Sequence, residues 1–152
     1  MVRLIDSPDQ RAAIARQVLE ALPDWFGIPE SREAYIRDSR AQPFWADLEG
    51  DTARGFLALK ETSPYTAELA VMGVLPEYHR RGIGRALFAA FRQYARDHGC
   101  QFLQVKTVQE GIYPIYDQTN AFYRSLGFRE LECFPTLWDE ANPCQIYVMS
   151  LH

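Results

Sequence analysis

Apolar and polar residues alternate along the chain with two spacings, one typical of helices and one typical of strands. Residues 7–22 carry apolar side chains three and four positions apart, and the predicted buried face comprises Ala13, Ile14, Val18, Leu19 and Leu22. Ser7 and Pro8 suit the N-cap and the first position of this helix, and Pro23 ends it. Three more helices are predicted over 29–39, from near Gly82 to His98-Gly99, and over 117–126 with Gly127 as its cap.

Short apolar or alternating runs between these helices predict seven strands. They are expected at 2–6, 44–48, 55–61, 67–75, 101–108, 128–134 and 146–151. The helix from Gly82 connects two strands, so strands 67–75 and 101–108 should lie parallel. The predicted fold is a mixed α/β fold in three layers, with a mostly antiparallel sheet of about seven strands, a central parallel pair and flanking helices.

Composition and charge restrict the classes of protein that fit this pattern. The chain has 152 residues, 47% apolar and 24% charged, as expected for one globular domain over 1–152. No apolar run has the length of a membrane span, and a net charge of −4 argues against nucleic acid as a partner. Three cysteines without pairing or metal-like spacing indicate reduced thiols in the cytoplasm, and we assign no metal.

The segment His79 to Leu87 combines two glycines with three arginines where a strand gives way to a helix. A helix N-terminus offers unpaired N–H groups and partial positive charge, and glycine lets an anion approach the backbone. The segment lacks the Gly-Lys-Ser/Thr of a P-loop and the third glycine of a dinucleotide fingerprint. The local alternative is a tight turn with a solvated basic first turn.

Two motifs resemble those of the GNAT N-acetyltransferases, and the order of elements matches that fold along essentially the whole chain. His79-x-x-Gly82-x-Gly84 is similar to the family's acetyl-CoA motif, Gln/Arg-x-x-Gly-x-Gly/Ala, although histidine replaces the usual first residue. Residues 120–128, Asn-Ala-Phe-Tyr-Arg-Ser-Leu-Gly-Phe, resemble the family's FYxxLGF segment. The resemblance implies a GNAT fold, acetyl-CoA as cosubstrate and acetyl transfer to an amine.

The resemblance also assigns residues to the coenzyme. Backbone groups near Met72, Gly73 and Val74 should meet the pantetheine, and Gly73 inside a strand marks either a bulge, a close backbone approach or a concession to packing. The remaining coenzyme contacts implied by the two motifs are His79, Arg80, Arg81, Gly82, Ile83, Gly84, Arg85, Thr119 and Phe122.

Catalysis requires that the amine lose a proton and that the departing thiolate be stabilised. Glu68 lies 14 residues before Gly82, the spacing of a catalytic glutamate in histone-acetylating family members, which points to Glu68 as general base, directly or through water. The alternative is an exposed glutamate near a strand start that pairs with a neighbour. Tyr123 is the candidate acid by resemblance, because a phenol stays protonated at neutral pH. Its alternative is an aromatic on a buried helix face.

The sequence contains little information about which amine is the acceptor. The preferred prediction is a primary amine of a small molecule, and a protein lysine or N-terminus is the alternative within enzymes. A coenzyme-A-binding sensor without catalysis is the alternative outside enzymes, and a homodimer is left open. The segment Trp25-Phe26-Gly27-Ile28, with Tyr35, Tyr113, Tyr116 and Trp138, offers aromatic surface for an acceptor pocket.

Overall fold

The computed structural model describes all residues from Met1 to His152. Four α-helices are present: α1 (Pro8–Glu20), α2 (Pro29–Ser39), α3 (Ile83–Asp97) and α4 (Pro114–Leu126). Ser7 caps α1 as predicted, because its hydroxyl oxygen accepts a hydrogen bond from the Gln10 N–H at 3.2 Å. Gly127 closes α4 in the left-handed conformation, with φ of 110°. No helix combines the length and apolar character that crossing a membrane requires.

Seven strands form one sheet in the spatial order β1-β2-β3-β4-β5-β7-β6. Their bounds are β1 (Val2–Leu4), β2 (Phe44–Glu49), β3 (Thr52–Ser63), β4 (Thr66–Val74), β5 (Phe102–Val108), β6 (Arg129–Asp139) and β7 (Asn142–Ser150). Antiparallel pairs join β1 to β2, β2 to β3, β5 to β7 and β6 to β7, and β4 runs parallel to β5. The predicted mixed α/β fold and its order of elements are therefore confirmed.

Several predicted details need correction. On α1 the buried face includes Ala15, whereas Ala13 is exposed, because at about 100° per residue Ala15 falls between Ile14 and Leu19 around the helix and Ala13 falls outside that arc. On α3 the apolar spacing predicts a buried face that includes Ala86 and not Phe88, whereas Phe88 is buried and Ala86 is exposed. Helix α4 begins at Pro114, one turn before the predicted start, with proline in the first turn where its missing N–H costs nothing.

The chain divides into two compact units, of which the first comprises Met1–Lys60 and Leu69–Tyr94. Its core is built from α1, α2 and one face of strands β2 to β4, with Val18, Leu19, Phe44 and Phe56 buried completely. The rings of Phe44 and Phe56 stack with their centroids 5.0 Å apart. A short 3₁₀ turn, Pro76–Tyr78, connects β4 to the segment before α3.

The second unit comprises Glu61–Glu68 and Ala95–His152. It contains the end of β3, the start of β4, the last turn of α3, and β5, α4, β6 and β7. Tyr147, Phe128, Leu103 and Val105 are buried almost completely in its core. Strand β6 forms the edge of the sheet, and most of its side chains are exposed.

Candidate active site

The turn before α3, in the first unit, has the backbone of an anion-binding site. Arg80 adopts φ of 65° and Gly82 adopts φ of 78°, so two left-handed residues flank Arg81. A non-glycine residue in this region is uncommon, and such turns orient successive N–H groups into a concave surface. Nothing lies within 4 Å of the position that a Cβ on Gly82 would occupy. The turn is therefore open beside Gly82, and its contact with a pyrophosphate stays a prediction.

His79 has a defined partner that the sequence did not reveal. Its Nε2 atom lies 2.7 Å from the carbonyl oxygen of Val74, the last residue of β4. Since a carbonyl only accepts, the tautomer that makes this bond carries its proton on Nε2. The ring also meets Trp25 edge-on, with centroids 6.1 Å apart. His79 thus ties the end of β4 and the connection between α1 and α2 to the start of the turn.

The arginines of the motif do not all face one point. The guanidinium of Arg81 lies over the ring of Tyr78, 5.4 Å from the centroid, and Arg54 lies over the same ring at 5.5 Å. Arg80 and Arg85 are exposed. The arginine side chains therefore place positive charge around the turn at the start of α3.

Gly73 is required by close packing. A Cβ at this position would lie 2.9 Å from a methyl carbon of Val18 on α1 and 3.0 Å from one of Leu22, just after that helix, and both residues are buried. A larger residue would force these side chains to shift, which agrees with the alternative of a packing concession. Met72 and Val74 flank it and are half-buried. The contact of these three residues with pantetheine stays a prediction.

Glu68, in the second unit, is buried, with 6% of its surface exposed, so the expected exposure of the alternative is wrong, whereas its pairing with a neighbour is present. Its Oε1 accepts a hydrogen bond from the amide of Gln104 at 2.6 Å and lies 3.3 Å from the ammonium nitrogen of Lys106. A buried carboxylate is costly unless it is paired and hydrogen-bonded, and both conditions hold here. Two partners on β5 thus hold the Glu68 carboxylate at a defined position, and its role as general base stays a prediction.

Tyr123 lies on α4 within an aromatic cluster and is 7% exposed. Its ring centroid is 5.9 Å from Phe122, 5.9 Å from Phe128 and 6.2 Å from Tyr147. Tyr147 is paired with Val105, whereas Gln104 and Lys106 point to the other side of β5. Glu68 and Tyr123 therefore contact opposite faces of this part of the sheet.

A polar network that sequence reasoning missed holds α4 against β5 and β7. The Asn120 side chain is fully buried; its amide donates to the carbonyl oxygens of Val108 at 2.9 Å and Tyr116 at 2.6 Å, and its oxygen accepts from the Tyr147 hydroxyl at 2.6 Å. Arg124 also donates to the Tyr147 hydroxyl, and its guanidinium pairs with both carboxylate oxygens of Glu110. Burial raises the pKa of Tyr147 although Arg124 opposes it. The only sequence signal was an asparagine inside a predicted helix.

The other predicted residues of the second unit are half-buried. The Thr119 hydroxyl donates to the carbonyl oxygen of Ile115 at 3.2 Å, one turn earlier, so it is engaged by its own helix. Phe122 is half-buried beside Tyr123. Cys144 is fully buried, and burial raises the pKa of its thiol to about 11, as is typical of an unreactive buried cysteine.

Residues 11–128 match the family model of the acetyltransferase (GNAT) family, and the chain belongs to that family. The N-alpha-acetyltransferase RimI of Mycobacterium tuberculosis (strain ATCC 25618 / H37Rv) is 36% identical over 77 residues, which cover 51% of this chain but only 44% of that protein. An aminoglycoside N(6')-acetyltransferase type 1 of Stenotrophomonas maltophilia is 28% identical over 134 residues, 83% of this chain and 84% of that one.

The solved structure of a GNAT-family protein from Desulfovibrio desulfuricans superimposes with a TM-score of 0.86 at 21% identity, covering 100% of this chain and 99% of that chain. At this identity the likeness shows the fold alone. The family resemblance stated from the two motifs is confirmed. At the level of the family, an acyltransferase that uses acetyl-CoA is confirmed as well.

Proposed function

We propose that the protein transfers the acetyl group of acetyl-CoA to a primary amine of a small molecule. The observation that carries the proposal is the buried, ion-paired carboxylate of Glu68, because an amine attacks a thioester only after it has lost a proton. The family supplies acetyl-CoA as the acyl donor. The aminoglycoside acetyltransferase, which matches along most of both chains, supports a small-molecule acceptor.

In this proposal the turn before α3 binds the pyrophosphate of the coenzyme through backbone N–H groups around Gly82 and Gly84, with charge from Arg80 and Arg85. Glu68 removes a proton from the acceptor, directly or through one water. Tyr123 donates a proton to the departing thiolate. Glu68 contacts Gln104 and Lys106 on β5, whereas Tyr123 packs beside Tyr147 on the opposite face of the sheet, so the two roles are separate parts of the proposal and each has its own test.

A protein amine is the second candidate. The 36% identity to RimI of M. tuberculosis supports it, although that match spans less than half of the relative. The two acceptor classes place different demands on the protein. A peptide needs a long open groove, whereas a small amine needs a closed pocket.

The test is an acceptor screen with acetyl-CoA that reads thiol release. The panel contains aminoglycosides, small aliphatic and aromatic amines, amino acids, and peptides with a free N-terminus or an internal lysine. We expect turnover with one class of small amines and only background release with the peptides. Turnover restricted to peptides would replace the proposal with the second candidate. Acetyl-CoA binding without turnover on any amine would favour a coenzyme sensor.

A further inference from the structure

The side-chain amine of Lys106 lies beside Glu68, where the amine of an acceptor substrate would be required. Its ammonium nitrogen lies 3.3 Å from Oε1 of Glu68, the carboxylate assigned above as general base. A general base has to lie within hydrogen-bond reach of the amine that it deprotonates, directly or through one water. The side-chain amine of Lys106 satisfies this distance requirement within the folded chain.

The Lys106 side chain is also reachable. It is 30% exposed, whereas the Glu68 side chain is 8% exposed. Gln104, two residues earlier on β5, lies on the same face and holds the same Glu68 oxygen at 2.6 Å. The carboxylate is therefore fixed by the amide, and the lysine amine lies beside it with part of its surface open to an incoming group.

The sequence makes this lysine unusual within its own chain. Only two of the 16 basic residues are lysines, Lys60 and Lys106, and the others are arginines. Arginine stays protonated under all ordinary conditions and offers no amine nucleophile. The protein thus carries two side-chain amines, and one of them lies against the candidate base.

We propose that Lys106 is a self-acetylation site, at which the protein transfers an acetyl group from acetyl-CoA to its own side chain. The inference rests on the proposed function, because it uses the same donor and the same base. The Lys106 nitrogen forms a bond to the carbonyl carbon of the thioester, and the carbon–sulfur bond breaks. The ammonium loses two protons in total: Glu68 passes one to solvent, and the other ends on the sulfur as free coenzyme A thiol.

Acetylation would change the site that performs it. An acetylated lysine is neutral, so the ion pair between Lys106 and Glu68 is lost while the Gln104 hydrogen bond remains. Glu68 would then be a buried carboxylate without its cation. Self-acetylation is therefore a route by which acetyl-CoA, in the absence of an acceptor, alters the base.

The experiment incubates the whole protein with acetyl-CoA and no acceptor, and follows both lysines over time by peptide mass spectrometry. Lys60 is the matched internal control, because it is exposed and reports uncatalysed acetylation by the thioester. We expect Lys106 to be acetylated first, with a rate that saturates with acetyl-CoA, while Lys60 rises in proportion to acetyl-CoA. Glu68→Gln should slow Lys106 acetylation by about 10²-fold or more and leave Lys60 unchanged.

Two further measurements keep the result unambiguous. Far-UV circular dichroism checks that Glu68→Gln is folded, and Lys106→Arg should abolish the saturable mass increase of the intact protein. Acetylation of Lys106 no faster than that of Lys60, or undiminished in folded Glu68→Gln, would overturn the inference. Turnover of a free amine without Lys106 acetylation would overturn this inference alone. Absence of both would overturn the proposed function with it.

Discussion

At the scale of single residues, Glu68 combines burial with two specific partners. Glu68→Gln keeps the shape of the side chain but cannot accept the proton, so we expect turnover to fall by about 10²–10⁴-fold with little change in coenzyme affinity. Steady-state kinetics and calorimetric titration with coenzyme A measure the two effects. The control is Glu132→Gln, an exposed glutamate on β6. Wild-type turnover in Glu68→Gln would transfer the role to a water chain or another carboxylate.

The burial of Tyr123 agrees with two roles, a proton donor to the thiolate and a packed aromatic residue. Removal of its hydroxyl distinguishes them. Tyr123→Phe keeps the ring in contact with Phe128 and Tyr147 and removes the donor. If the hydroxyl protonates the thiolate, the loss should appear in kcat and shrink with an acyl donor whose thiol is more acidic. Tyr65→Phe, at an exposed position, is the control. Equal losses in kcat with acetyl-CoA and with the more acidic donor would indicate that Tyr123 positions the coenzyme instead.

At the scale of elements, the start of α3 and the turn before it form the predicted phosphate site. Gly84 is the second residue of this helix. Gly84→Val places a branched side chain where the coenzyme should approach, so we expect coenzyme A binding to be abolished in calorimetry while the fold is retained. Ala89→Val is the matched control, since it puts the same side chain at an exposed position on the same helix. Unchanged affinity in Gly84→Val would refute the assignment of this turn.

Helix α4 is fixed to the sheet by the network around Tyr147. Tyr147→Phe leaves the buried oxygen of Asn120 without its donor, and an unsatisfied buried group costs about 1–3 kcal/mol. We expect urea unfolding to show a loss of this size. The exposed Tyr65→Phe controls for removal of a tyrosine hydroxyl as such. A loss no larger than that of the control would mean that water or a repacked side chain replaces the hydroxyl.

At the scale of the whole molecule, stability should depend on pH through a buried carboxylate in the first unit. Burial alone would raise the pKa of Asp47, but hydrogen bonds from Arg54 at 2.6 Å and from the N-terminal amine at 3.0 Å outweigh it and lower the pKa. The depressed pKa stabilises the folded state above the ordinary aspartate value of about 3.9, and this stability is lost as pH falls through the folded value.

Urea unfolding between neutral and acidic pH tests this linkage. The wild-type unfolding free energy should decline as pH falls below about 4, since the unfolded chain binds the proton more readily there. Asp47→Asn and Arg54→Gln should both flatten the decline, because each removes one side of the hydrogen bond that lowers the pKa. A decline of the same slope in all three proteins would assign the acid sensitivity to other carboxylates.

Local patterns in the sequence were sufficient for the order of the elements, both motifs and the family. Hydrophobic spacing, the Ser7 cap and Gly127 depend on neighbours in the chain, so they could be read without the fold. The end of β6 could not. The strand was predicted to stop at residue 134, yet β6 continues through Pro135 to Asp139, because an edge strand tolerates a residue without an N–H.

The tertiary structure alone decided which polar groups meet. Glu68 and Lys106 are 38 positions apart and Asn120 and Tyr147 are 27 apart, and both contacts arise from the alignment of β4, β5, α4 and β7. The sequence contained a weak trace of the first, since Gln104 and Lys106 alternate with apolar residues on one face of β5. Nothing in the sequence indicated that Glu68 is the common partner of these two residues. Pairing between distant strands depends on register, and a shift of one residue would turn these side chains to the opposite face.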